Sequence, residues 1–114
     1  MLAKKNRLTG KTNFDRVERL GEIVQSANFG LAKLDRKDKN PTRFAFVIST
    51  KIAKNATDRN TLRRHMREAV RQELSEVRDG FDVAFLAKTS ITRIPAIDIM
   101  KEVRSAMREA GLLK

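Results

Sequence analysis

The chain has 114 residues, a length that fits one domain, and 40% hydrophobic content, enough for one modest core. Its 25 Lys and Arg against 14 Asp and Glu give a formal charge of +11, which favours polyanions: nucleic acid or an anionic membrane surface. The absence of cysteine excludes disulfides and thiolate metal sites, and no apolar run is long enough to span a bilayer.

The start, MLAKKNRLTGKTNF, has basic residues but no apolar stretch of the kind a secretory signal needs. The expectation is therefore a soluble, cytoplasmic protein forming one domain over residues 1–114. KTNFDRVERLG reads as a first helix, with Phe14, Val17 and Leu20 at helical spacing. Thr12 is placed to cap it, with Asp15 at capping-box distance, and Gly21 to stop it. ANFGLAKL then reads as a strand carrying Phe29, Leu31 and Leu34, and Asp35 to Pro41 as a charged turn. RFAFVIS, Arg43 to Ser49, has the clearest alternation: Phe44, Phe46 and Ile48 on one face, Ala45, Val47 and Ser49 on the other. The two strands around this turn suggest an antiparallel pair. A loop leads to a long helix from about Asp58 to Val77, Gly80 ends that region, and Phe81 to Lys88 reads as a buried strand. Pro95 opens a last helix, with Met100, Val103, Met107 and Ala110 as its apolar stripe. The order α-β-β-α-β-α makes an α+β sandwich.

On a helical wheel, Leu62, Met66, Ala69, Val70 and Val77 share the arc that should face the sheet. Asn60, Arg63, Arg64, Arg67 and Arg71 fill the adjacent arc; Arg59 starts toward the apolar side but can swing clear at the first turn. Ordinary solvated helices mix signs at i,i+4, whereas Arg59, Arg63, Arg67 and Arg71 repeat one sign at a cost of a few tenths of a kcal/mol per pair. Residues 51–71 hold seven Lys or Arg against two acids. Such a cluster implies an external counter-charge, and arginine's planar fork suits phosphate.

A protein nuclease needs clustered carboxylates for metal ions or a histidine pair for proton transfer. His65 is the sole histidine and falls in the polar arc, where solvent exposure is expected. Asp15, Glu18, Asp35, Asp38, Asp58 and Glu68 are scattered, and a solvated turn accounts for the Asp35–Asp38 stretch. No catalytic residue and no protein metal site is expected.

The run ISTKIAKNATDRNTLRRHMREAV resembles the hallmark helix of the bacterial ribonuclease P protein family. Ser49 ends a strand, Lys51 and Ala56 precede Arg59-Asn60, and Leu62, Arg63-Arg64, Met66, Arg67-Glu68 and Ala69 follow. NRLTGKTNFDRVERLG and FDVAFLAK match that family's N-terminal segment, first helix and later strand. The resemblance implies a small, mainly antiparallel sheet with a left-handed β-α-β crossover, as in the second domain of ribosomal protein S5. It implies a subunit, monomeric within a ribonucleoprotein, that helps remove the 5′ leader from precursor tRNA. Catalysis would belong to the RNA subunit, and Mg2+ would enter through that RNA rather than the protein alone. Lys51, Lys54, Arg59, Asn60, Arg63, Arg64, Arg67 and Arg71 would dock on the catalytic RNA. An opposite cleft with Arg7, Phe14, Arg16, Val47 and Ser49 would hold the leader. The chain departs from the family at Thr61, where the hallmark has a second arginine, and at Glu18 and Ala32, which align with aromatic cleft positions.

Two other readings have the same charge. A small ribosomal or ribosome-assembly protein would bind RNA with no part in cleavage. A membrane-surface helix would need bulkier apolar residues than this Leu, Met, Ala and Val face carries.

Overall fold

The computed structural model describes residues 2–114. Helix α1 (Lys11–Leu20) leads into strands β1 (Glu22–Gln25), β2 (Phe29–Asp35) and β3 (Arg43–Val47), then helix α2 (Ala56–Gln72), strand β4 (Phe81–Ala87) and helix α3 (Ala96–Glu109). Short 3₁₀ turns at Lys4–Asn6, Leu74–Glu76 and Thr89–Arg93 complete the described elements.

The sheet order is β1-β2-β4-β3, antiparallel except for the parallel pair β3 and β4. The α+β class holds, but the expected β2–β3 pair does not form. β4 separates those strands because Val83, Ala84 and Phe85 are buried on alternating faces, which calls for a central position. The Asp35–Pro41 segment therefore crosses the end of β4 instead of closing a hairpin. Asp82, 1% exposed, fixes that crossing. Its carboxylate accepts from Arg36 Nη1 at 2.5 Å and from Arg43 Nε and Nη2 at 2.8 Å each. Arg36 Nη2 also donates to the carbonyls of Asn40 and Pro41 at 3.0 and 2.9 Å. Gly80, at φ 94°, closes the crossing, since a Cβ there would strike the carbonyl oxygen of Asp38.

Strand β1 was not expected: EIVQ has four residues, and of these only Val24 packs against the main core. α1 starts one residue before Thr12, from an uncapped Gly10 at φ 88°, so Thr12 is an exposed first-turn residue. Gly21 does end α1, by close approach: a Cβ would collide with the carbonyl oxygens of Val17 and Lys33. α2 stops at Gln72 instead of running to Val77. The C-terminal tail imposes this, because Arg78 N–H donates to Leu112 O and Lys114 N–H to Glu76 O, each at 2.7 Å, with Val77 bridged to Leu113.

The main core lies between one sheet face and helices α2 and α3. Phe85 is its centre, edge-on to Phe29 at 5.5 Å and stacked with Phe46 at 5.4 Å and Phe44 at 6.4 Å; such contacts add about 0.5–1.5 kcal/mol each beyond burial. Of the β3 face that alternation grouped together, Phe44 and Ile48 are buried and Phe46 is half-buried. From α3, Ile99, Val103, Ala106 and Met107 enter this core, and Met100 is only partly buried against it. On the other face α1 sets Val17 on Ala32 and Ala84, with Leu8 beside them and Phe14, Leu34 and Ala45 packed around. Small residues there let the helix sit close to the sheet.

Candidate nucleic-acid interface

With Leu62, Met66, Ala69 and Val70 buried, α2 is fixed in rotation and its arginines are sorted by azimuth. Asn60, Arg64 and Arg71 are exposed and face outward, with Lys51 and Lys54 exposed on the preceding loop. Arg63 and Arg67 are half-buried on the flank toward β3.

The arginines are not equivalent. Arg59 turns back from the core, as anticipated, and Nη1 donates to Ala53 O at 2.9 Å and Lys54 O at 2.7 Å. It thereby fixes the loop that carries the two lysines. Arg63 donates from Nε to Phe46 O at 3.3 Å and from Nη1 to Asn60 Oδ1 at 3.0 Å. Arg71 is paired with Glu68 through two hydrogen bonds, at 2.9 and 2.5 Å, so the repeat of like charges has an internal counter-ion at its last member. The hydrogen bonds to Arg71 hold the Glu68 carboxyl below its ordinary value and raise the Arg71 guanidinium. Arg64 and Arg67 make no ion pair among the described residues.

Beside α2, the N-terminal segment runs along the outer edge of β3. Arg7 bridges to Phe44 in parallel register, Leu8 N–H donates to Phe44 O at 2.8 Å, and Asn6 Nδ2 donates to Thr42 O at 3.0 Å. Arg7, Arg63 and Arg67 consequently line one groove of about 230 Å³, floored by Phe44, Ala45 and Phe46. Sequence reasoning put Arg7 with the opposite cleft; the structure brings it together with the arginine helix. A single bridge has no periodicity, so no sequence signal marks this placement.

The expected leader face is the side of the sheet under α1. Ala32, Ala84 and Ala45 are in register across three strands, and the next row is Gln25, Gly30, Leu86 and Val47. α1 covers the alanine row, so Ala32 is a fully covered packing residue, while Ala45, at the β3 edge, is half-buried. Val47 is half-buried outside both core clusters, Ser49 is exposed beyond the end of β3, and Phe14 is half-buried against the alanines. Arg16 and Glu18 are exposed on α1. Phe14 and Val47 thus share this face, and Ser49 lies beyond its end.

His65 is half-buried instead of solvent-exposed, and its Nδ1 is enclosed without a hydrogen-bond partner among the described residues. Asp35 and Asp38 accept backbone N–H groups of Lys37 and Asn40 at 2.8 and 3.0 Å, shaping their own turn. No group of three or more His, Asp and Glu side chains converges among the described residues. No helix among them is long and apolar enough to cross a membrane.

Comparison with known proteins places related chains beside this one. The family model described as Ribonuclease P matches residues 2–111. The ribonuclease P protein component of Gluconacetobacter diazotrophicus is 31% identical over 98% of this chain and 97% of its own length. That of Pseudanabaena sp. is 26% identical over 99% and 97%. Among solved structures, the Staphylococcus aureus ribonuclease P protein superposes with a TM-score of 0.89 at 21% identity, covering 97% of this chain and 100% of that one. The Thermotoga maritima protein superposes at 0.80 and 20% identity, over 90% and 96%.

Proposed function

The chain belongs to the ribonuclease P protein family, and from that premise we propose that α2 docks on the catalytic RNA while the α1 face of the sheet holds the 5′ leader of precursor tRNA. As a family member it is a subunit of the endoribonuclease that matures tRNA 5′ ends with an RNA subunit, which removes the ribosomal-type alternative.

The observation that carries the docking reading is the groove where Arg7, Arg63 and Arg67 meet at the β3 edge. Together with Lys51, Lys54, Asn60, Arg64 and Arg71 these side chains offer hydrogen-bond donors and positive charge to phosphates. Arg59 acts beside them by holding the loop. Neutralising phosphates lowers repulsion within the RNA and between RNA and substrate, so less Mg2+ is needed for either. In this reading Mg2+ belongs to the RNA, which carries the hydrolysis.

Phe14, Val47 and Ser49, with Arg16 at the rim, provide an apolar, partly open strip for an extended single strand. Residues 1–114 act as one RNA-binding domain, monomeric in the ribonucleoprotein and cytoplasmic.

Cleavage of a precursor tRNA at low Mg2+ by the organism's own ribonuclease P RNA, with and without the protein, tests the reading. Strong stimulation, with no cleavage by the protein alone, is the expected result. A folded protein that binds the RNA without stimulating cleavage would remove the proposed mechanism. Cleavage by repurified protein alone would place an active site in the chain.

A further inference from the structure

On the flank of α2 away from the β3 groove lies a cavity of about 440 Å³, open to solvent where Asp58 and Thr92 are exposed. It is lined by Ile52 and Ala53 from the loop, Asp58, Thr61 and Leu62 from α2, and Thr92 from the 3₁₀ turn before α3. Its volume falls in the range of small-molecule sites. The loop wall is held by the bonds of Arg59 to Ala53 O and Lys54 O.

Thr61 makes the space. Its hydroxyl bonds back to Thr57 O at 3.0 Å, leaving only a short side chain at the rim where an arginine would otherwise project. Asp58 sets the chemistry. Glu68, the other acid of residues 51–71, is engaged by Arg71, but Asp58 has no ion pair among the described residues. Its carboxylate accepts one long hydrogen bond, from Asn55 Nδ2 at 3.4 Å. A first-turn position suits the helix dipole, which accounts for a carboxylate there but not for the cavity beside it.

A carboxylate repels phosphate, so this cavity is not another backbone contact. Its apolar walls, two threonines and one acceptor-only group match a nucleobase instead. We infer that the cavity receives an unstacked base of the partner RNA, one whose edge offers an amino group to Asp58, while Arg64, one turn beyond Thr61, meets the adjoining phosphate. Single-stranded bases are commonly taken out of the stack and read this way, and carboxylates accept from base amino groups. The loss of the arginine at Thr61 would then be an exchange of a phosphate contact for a base contact.

The inference rests on α2 docking on the catalytic RNA, and Thr61→Arg separates the two. If the cavity holds a base, filling it weakens binding of the ribonuclease P RNA by about tenfold, the scale of one lost stacked base, despite the added charge. If the cavity is vacant in the complex, the same substitution restores a phosphate contact, tightens or maintains binding and steepens the salt dependence. That result overturns the inference. Circular dichroism checks the fold, and Thr61→Gln, a neutral filler, is measured alongside and decides if Thr61→Arg fails to fold: weaker binding supports the base, unchanged or tighter binding overturns it. An Arg63→Ala, Arg67→Ala double variant, titrated in parallel, tests the docking reading. Undiminished binding by it removes both; weakened binding combined with a tighter Thr61→Arg complex removes the base pocket alone.

Discussion

Arg63 donates from Nε to the carbonyl oxygen of Phe46 while the ring of Phe46 stacks on Phe85, so a surface guanidinium takes its position from the centre of the core. The contact also occupies a carbonyl of edge strand β3. An arginine held this way loses little freedom when a phosphate arrives, which distinguishes it from a charge on a mobile stem.

Arg67→Ala should weaken binding of the ribonuclease P RNA and lower the slope of log affinity against log salt by about one, with the melting temperature unchanged. Arg63→Ala should do the same and also destabilise the fold by about 1 kcal/mol, the scale of one hydrogen bond. Titrations at several salt concentrations, paired with thermal melts, check both.

Glu68→Ala releases Arg71 and removes one negative charge, so RNA affinity should rise a few-fold at low salt. The Arg71 hydrogen bonds depress the Glu68 carboxyl. Whatever the pair contributes to stability is therefore present above the ordinary glutamate value of about 4.3 and is lost only as pH falls through the lower folded value. Melting temperatures of wild type and Glu68→Ala should run parallel from about pH 5 to 8 and converge only in stronger acid.

Phe14→Leu preserves most of the packing on Ala32 and Ala84 but removes the aromatic face. Binding of the RNA subunit should be unchanged, while the holoenzyme's preference for precursor over mature tRNA falls by roughly five- to tenfold, the lower part of the range for one stacked base. Equal loss in both assays, or loss of folding, would assign Phe14 to the core alone.

Asp82→Asn withdraws the shared counter-ion of Arg36 and Arg43. Breaking a buried pair costs about 3 kcal/mol or more, and in a domain of this size the melting temperature should drop by more than about 10 °C. RNA contacts on α2 should persist at temperatures where the variant is folded.

The legible parts of this molecule are those with a period. β3, β4 and the buried arc of α2 follow directly from alternation or helical spacing, and so does the rotation that turns Arg64 outward. What escaped was set by partners distant in sequence. β1 is too short to alternate, α2 is cut at Gln72 by a tail that pairs with Val77, and β4 displaces β3 from β2 because of its two-sided burial. The site divides in the same way. The basic helix could be read from its residues, but the company of Arg7 depends on one bridge to Phe44, and the pairing of Arg71 with Glu68 depends on rotamers that spacing only permits.

The N-terminal segment has another consequence. Parallel strand β3 lies at the border of the sheet, and such borders recruit strands from other molecules when left bare. Leu8 and Arg63 occupy the carbonyls of Phe44 and Phe46, one by main chain and one by side chain. Trimming the chain past Leu8 would thus do more than delete Arg7: it would uncover a sticky border and favour aggregation during expression, before any RNA is met.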